Sequence, residues 1–162
     1  MKVTDVMAKP PAYCSPQTSL GSAVEILWRQ NYGILPIVDS KQEVVGLITD
    51  RAICVALGTR NRLPSELTVS EVTSGKAVAC KPDDDLRAAL ATMAQAKVRC
   101  LPVIDATGKL QEILSIDDIV LRTETGTPKG DSELSFAELA NTLKILYAPR
   151  PLRAVQQKAA AA

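Results

Sequence analysis

The sequence predicts a mixed α/β chain of the α+β kind: two β-α-β-β-α repeats packed about a pseudo-two-fold axis, followed by a C-terminal helix. Three observations carry this prediction: an ungapped internal repeat, the same order of helix and strand signals in both copies, and a core that must be aliphatic. The repeat is the strongest. At an offset of 66 residues, Val3 to Ala56 aligns with Val69 to Arg122 without a gap. Ten positions are identical, namely Val3/Val69, Val6/Val72, Cys14/Cys80, Pro16/Pro82, Leu20/Leu86, Ala23/Ala89, Leu35/Leu101, Pro36/Pro102, Asp39/Asp105 and Ile53/Ile119. Average composition gives about three or four matches over that length, so the chain reads as two copies of one unit.

Each copy carries the same local signals in order. After the Pro16 or Pro82 turn, Ser19 or Asp85 supplies a short polar side chain that can cap a helix. The helix stripe is Leu20, Ala23, Val24, Leu27 and Trp28 in the first copy, and Leu86, Ala89, Leu90 and Met93 in the second. Two short β-branched runs follow, 34–38 with 44–48 and 100–104 with 110–114. Each pair is separated by a polar turn opened by Asp39 or Asp105, so each pair predicts a hairpin. A second helix opens after Thr49 or Ser115 and carries Ile53 or Ile119 inward. A unit of about 55 residues buries too little surface to be comfortable alone. Two related units packed together create two equivalent clefts, lined by the hairpin strand ends and the start of the second helix, where ligands are expected.

Composition limits the chemistry. Lys and Arg number 19 against 18 Asp and Glu, a net charge of +1 that gives no footprint for a nucleic-acid duplex. Hydrophobic residues make up 46% of the chain and aromatics 3%. The absence of histidine excludes Ser-His and Cys-His catalysis and removes the commonest metal ligand. Cys14, Cys54, Cys80 and Cys100 show no C-x-x-C spacing and read as small buried hydrophobes. No stretch of 18 apolar residues and no apolar leader is present, so the expectation is a cytoplasmic protein with no membrane partner and no catalytic activity.

The early V-x-x-V (Val3/Val6, Val69/Val72), the L-P-[IV]-[IV]-D strand and the strand-to-helix transition through Thr49 or Ser115 together resemble the paired cystathionine-β-synthase-type domain, the CBS pair or Bateman module. The resemblance covers Val3 to Thr123, and its specificity lies in the order of weak motifs repeated at fixed spacing. It implies a stand-alone regulatory module binding an adenosine-containing ligand: AMP, ADP, ATP, S-adenosylmethionine or NAD, with Mg²⁺ as an optional companion. It implies no covalent cofactor. In the second copy, Ser115 and the helix mouth can donate to a phosphate and Asp118 can accept from two ribose hydroxyls. The plain alternative is that Ser115 is only an N-cap and Asp118 only a favourable acid in the first turn.

The first copy departs from the pattern, because Ala52 stands where the acid belongs. Losing a charged hydrogen bond costs about 1.5 to 3 kcal/mol, so the clefts are expected to be unequal. By motif position the Asp118 cleft takes the adenine against Ala12 and Tyr32-Gly33, with Ile113 beneath and Arg99 reaching the phosphates. The weaker cleft uses Thr49, Leu47, Val78 and Val98. Arg99 and Tyr32 read equally as an exposed loop cation and a core-rim aromatic. Asp50 is expected on the wrong side of its helix to replace the missing acid. Glu112, in place of the first copy's Gly46, is expected to face solvent; facing the cleft, it would favour a less anionic adenosyl ligand.

The expected organisation is a first repeat over 1–66, a second over 67–123, a linker over 124–134, an amphipathic helix over 135–148 and a disordered tail over 149–162. The helix stripe is Phe136, Leu139, Ala140, Leu143, Leu146 and Tyr147, with docking open between its own pair, a dimer mate and another protein. Function then lies among three classes: a ligand sensor acting through a homodimer rearrangement or a regulated partner protein, a ligand-free dimerisation scaffold, and a cysteine-linked redox enzyme.

Overall fold

The computed structural model describes residues 1–6, 11–73, 75, 77–122 and 134–149. The first unit consists of α1 (Leu20–Gln30), β1 (Ile34–Val38), β2 (Val44–Thr49) and α2 (Asp50–Arg60). A short α3 (Val69–Val72) opens the second, with α4 (Leu86–Ala96), β3 (Cys100–Ile104), β4 (Leu110–Ser115) and α5 (Ile116–Arg122) after it. Helix α6 (Phe136–Tyr147) follows, and a 3₁₀ turn at Val3–Asp5 precedes everything. The mixed helix-and-strand class expected from the repeat is the one observed.

Both hairpins form in the same antiparallel register, pairing Leu35 with Ile48 and Leu101 with Leu114. Their turns are built by Asp39 and Asp105, whose Oδ1 atoms accept N–H bonds from Lys41 and Glu43, and from Thr107 and Lys109. The leading strand of each unit is reduced to a single parallel bridge, Cys14 with Ile37 and Cys80 with Val103. Two residues later Pro16 and Pro82 have no N–H with which to extend a ladder. Each sheet is therefore two-stranded.

The cores are exchanged between the repeats. Val3 and Val6 are buried in the second unit's core, beside Leu86, Met93, Leu101 and Ile119. Leu67 and Val69 are buried in the first, beside Leu20, Leu35, Ile48 and Ile53. Equivalent hydrogen bonds hold each exchanged segment: Leu20 N–H to Leu67 C=O at 2.9 Å and Leu86 N–H to Met1 C=O at 2.9 Å, then Val69 to Thr18 at 2.9 Å and Val3 to Asp84 at 3.0 Å. These pairs map onto one another at the repeat offset, which gives the pseudo-two-fold axis a physical basis. The hairpin tips also meet, through a bridge between Glu43 and Lys109, which are themselves equivalent positions.

The units differ on their outer helix face. The stripe expected on α4 is buried throughout, including Leu90. On α1 only Leu20, Ala23 and Leu27 are buried; Val24 is 42% and Trp28 85% exposed, contrary to the helical-stripe expectation. The reason is α6, which runs alongside α4 and covers the row equivalent to Val24 and Trp28. Helix α6 docks on its own chain and buries Leu139 and Leu146 in the second core. Phe136 and Tyr147, expected on its apolar face, are instead 60% and 64% exposed, and Thr142 is buried. The Thr142 hydroxyl donates to Glu138 C=O at 3.1 Å, which satisfies it inside the helix. The start of α6 is held by a Ser135–Glu138 capping box and by Arg87, whose Nε donates to Glu138 at 2.6 Å. The expected tail, beyond Pro149, and the expected linker, before Leu134, lie outside the described residues.

Replacing Leu139 by Ala is expected to cost about 2 to 5 kcal/mol in urea unfolding, while Phe136→Ala stays within about 0.5 kcal/mol; equal effects would place the helix wrongly. Hydrogen bonds from Arg87 and from Ser135 pull the Glu138 pKa down from 4.5 to about 2. Its folded pKa lies below its unfolded one, so its contribution is complete above pH 4.5 and fades as pH falls towards 2. Glu138→Gln should flatten that part of the stability curve measured by circular dichroism between pH 5 and 2.

Candidate functional site

In each unit the second helix begins directly where the hairpin ends, so a strand-terminal hydroxyl becomes the helix cap. Thr49 Oγ1 accepts the N–H of Ala52 at 3.1 Å, and Ser115 Oγ accepts that of Asp118 at 3.1 Å. The second mouth goes further. The Asp118 carboxylate turns back, and its Oδ2 accepts the Ser115 N–H at 2.9 Å and the Ser115 hydroxyl at 2.5 Å. This is a reciprocal capping box. Both bonds fall on one oxygen, and Oδ1 makes no hydrogen bond to a described residue. The first mouth cannot close this box, because Ala52 has no carboxylate.

An acid is nevertheless present at the first mouth. Asp50 Oδ1 accepts the Arg51 N–H at 2.6 Å, and its Oδ2 lies 3.6 Å from where a Cβ on Gly33 would sit. Gly33 C=O in turn accepts the Asp50 N–H at 3.2 Å. The equivalent bond in the second unit joins Arg99 C=O to Ile116 N–H at 2.8 Å. Backbone bonds thus bring Gly33, with Tyr32 beside it, to the Thr49 mouth, and Arg99 to the Ser115 mouth.

Register sorts the remaining candidates. Leu47 pairs with Pro36 and Thr49 with Ile34, on the hairpin face opposite the core residues Leu35 and Ile48. Ile113 pairs with Pro102 and Ser115 with Cys100 in the same way. Leu47 and Thr49 therefore share one face, and Ile113 and Ser115 share the equivalent one. Ala12 is half-buried against the first core, its counterpart Val78 is 45% exposed, and Val98 packs half-buried on the second core. Glu112 does not face solvent as expected. It is half-buried and lies opposite the fully buried Val103, on the core-side face. Gly46 holds that place in the first hairpin, where a Cβ would come within 3.2 Å of Ile37 Cδ1.

Arg99 is also influenced by a residue that its sequence position did not reveal. Tyr147, at the end of α6, raises the guanidinium pKa further, while partial burial opposes it. Tyr147 reads in the sequence only as part of an apolar stripe. The available signal was the contrast between Arg99 and Gly33 at equivalent positions. A separate cavity of 420 Å³ lies between α4 and α6, lined by Arg87, Leu90, Ala94, Glu138, Asn141 and Ile145 among others. It is distinct from both helix mouths and was not anticipated. Among the described residues, no cluster of three or more carboxylates and thiols is placed to hold a metal ion.

Two α-β-β-α units that exchange their leading segments, each with a hydroxyl-capped second helix, define a tandem-repeat architecture. The family model described as CBS domain matches residues 3–59 and again 69–123, and the chain belongs to that family. Among curated relatives, the CBS domain-containing protein YhcV of Bacillus subtilis is 28% identical over 130 residues, covering 80% of this chain and 91% of YhcV. Other relatives are longer: the match covers 52% of protein MK0525 of Methanopyrus kandleri and 23% of the inosine-5'-monophosphate dehydrogenase of Methanocaldococcus jannaschii. The solved CBS domain pair of protein MJ0100, in complex with 5'-methylthioadenosine and S-adenosyl-L-methionine, is 26% identical with a TM-score of 0.68, covering 75% of this chain and 94% of that one. CBSX2 in complex with AMP is also 26% identical, with a TM-score of 0.65 and coverages of 74% and 93%.

The thiols are divided by environment. Burial pushes Cys14, Cys80 and Cys100 up to about 11, which leaves little thiolate at neutral pH. Cys54 alone is exposed. Brief treatment of the native protein with a maleimide at pH 7 should therefore modify one site, located at Cys54 by peptide mass spectrometry. Rapid modification of Cys100 would instead revive a redox role.

Proposed function

We propose that this chain is a CBS-pair regulatory module that binds an adenosine-containing ligand at the Ser115–Asp118 helix mouth, with the Thr49 mouth weaker. The observation that carries this reading is the inequality of the two mouths: Asp118, whose Oδ1 bonds no described residue, in one, Ala52 in the other. Ligand complexes of related CBS pairs with AMP and with S-adenosyl-L-methionine supply the chemical class.

The capping box suggests how such a ligand enters. Ribose hydroxyls donate to the Asp118 carboxylate, first at Oδ1 and then in place of the Ser115 hydroxyl at Oδ2. The released Ser115 hydroxyl turns to donate to a phosphate, beside the N-terminal N–H groups of α5. Donors are exchanged rather than lost, so the empty site carries no unsatisfied buried group and the filled one gains bonds. Ile113, on the same hairpin face as Ser115, offers an apolar floor to the base. Binding biases the arrangement of the two units, and the change is read by a homodimer mate or a partner protein.

A second reading, a dimerisation scaffold without ligand, is favoured by one observation. Helices α2 and α5 expose an apolar residue at equivalent positions, Val55 at 56% and Leu121 at 83%, with Val120 beside it at 41%. A thermal-shift panel of AMP, ADP, ATP, NAD and S-adenosylmethionine separates the two. Sensing expects a rise for one class, at most about 4 kcal/mol at a thousandfold excess over Kd; a scaffold expects none. Calorimetry on Asp118→Ala should then show at least a tenfold loss of affinity, corresponding to one charged hydrogen bond. Unchanged affinity would refute the site.

A further inference from the structure

The outer rows of the two equivalent helices carry opposite shapes. On α4, Arg87, Leu90, Ala91 and Ala94 line the 420 Å³ cavity, whose other wall, on α6, includes Glu138 and Ile145. The equivalent row on α1, at the repeat offset, is Gly21, Val24, Glu25 and Trp28. Ala94, a single methyl group in the groove, is thus matched by an indole that stands 85% exposed. One row is a socket and the other a knob.

The socket suits an apolar guest. Leu90 is buried and Ala94 half-buried, whereas Ala91 and Ile145 are exposed, so the cavity is reached from solvent. A cavity of about 150 Å³ accepts benzene, so 420 Å³ accepts the larger indole. The charges nearby are already paired: Arg87 Nε donates to Glu138 at 2.6 Å beside the socket, and Arg29 pairs with Glu25 at 2.5 Å beside the knob. Joining the rows therefore leaves none of these four charges bare against an apolar wall. Trp28 is the chain's one tryptophan, a residue type enriched where binding energy concentrates.

We propose that two copies of this chain pair reciprocally, Trp28 of each copy seated in the α4–α6 groove of the other. Knob and socket belong to one polypeptide, so each copy brings both halves of the contact, and a two-fold axis makes that contact twice. An indole buries about 150 to 250 Å². Two of them, with the walls they cover, bury roughly 600 to 1,000 Å², about half of the roughly 1,200 to 2,000 Å² of a stable interface. Val24 and Ile145, exposed by 42% and 48%, add apolar area beside knob and socket. The pairing is independent of the ligand reading.

The test follows the full chain by sedimentation equilibrium and by tryptophan emission, which reports Trp28 alone. A dimer is expected, with emission shifting to the blue over the same concentration range. Trp28→Ala removes the knob at an exposed position. Ala91→Glu puts at the edge of the socket the residue that α1 carries in the equivalent place, Glu25; Asn141→Glu, on the exposed opposite wall, replaces it if circular dichroism shows lost helix. Knob and socket variants should each raise the dimer dissociation constant at least about tenfold. Their equimolar mixture, which restores one contact of the two, should pair more tightly than either alone. A monomer at every concentration, assemblies beyond a dimer, or a dimer whose emission does not shift overturns the proposal. So does a knob or socket variant that pairs as tightly as the unmodified chain, or a mixture no tighter than its parts. None of these outcomes alters the reading of the Ser115–Asp118 mouth.

Discussion

The structure depends on an exchange of leading segments. Neither repeat contains its own complete core: residues before the first unit are buried in the second, and residues before the second are buried in the first. The reason lies in size, since a unit of about 55 residues exposes too much of its surface to close alone. Borrowing Val3 and Val6, or Leu67 and Val69, seals the gap between each capped helix and its hairpin. It also fixes where the first helix of each unit begins, because the exchanged backbone bonds Leu20 and Leu86, the first residues of α1 and α4. The helix mouths thus sit in a frame that neither half could build separately.

Within that frame, the two mouths show how a single substitution changes a site without changing a fold. Both are capped by a hydroxyl, and both helices start at the same register. A carboxylate three residues on converts one cap into a closed polar box whose bonds a ligand can take over. In the other, the nearest acid sits at the helix's first residue and bends over Gly33 instead. A helix end that satisfies itself when empty carries no penalty for being a binding site. That property reconciles the plain capping reading of Ser115 and Asp118 with a functional one.

Much of the architecture was legible in the sequence because the repeat applies every local signal twice. Hairpin limits, caps and turn aspartates follow from short-range chemistry, and both copies agree on them. What escaped was set by contacts between distant segments. The leading strands stop at one bridge because a proline follows too soon. Val24 and Trp28 satisfy the helical period yet face outward, because the helix that covers their counterparts docks on only one unit. Glu112, a charged strand residue expected to face solvent, shares its face with the core residue Leu114 and lies opposite the core residue Val103. At the candidate site, Ser115, Asp118 and Thr49 could be found by motif, whereas the effect of Tyr147 on Arg99 could not, since it depends on where α6 docks.

The bridge between Glu43 and Lys109 lies where the internal dyad passes, so each residue faces its own duplicate. Two identical subunits meeting there would set like charges against each other, Glu against Glu or Lys against Lys, at a cost to the pairing. Joining the copies in one polypeptide removes that constraint, because the two sides are free to drift apart in character. The chain has used this freedom at its own centre of symmetry. Two transplanted first halves, or two second halves, would therefore meet with mutual repulsion at the very point where the present pair is joined.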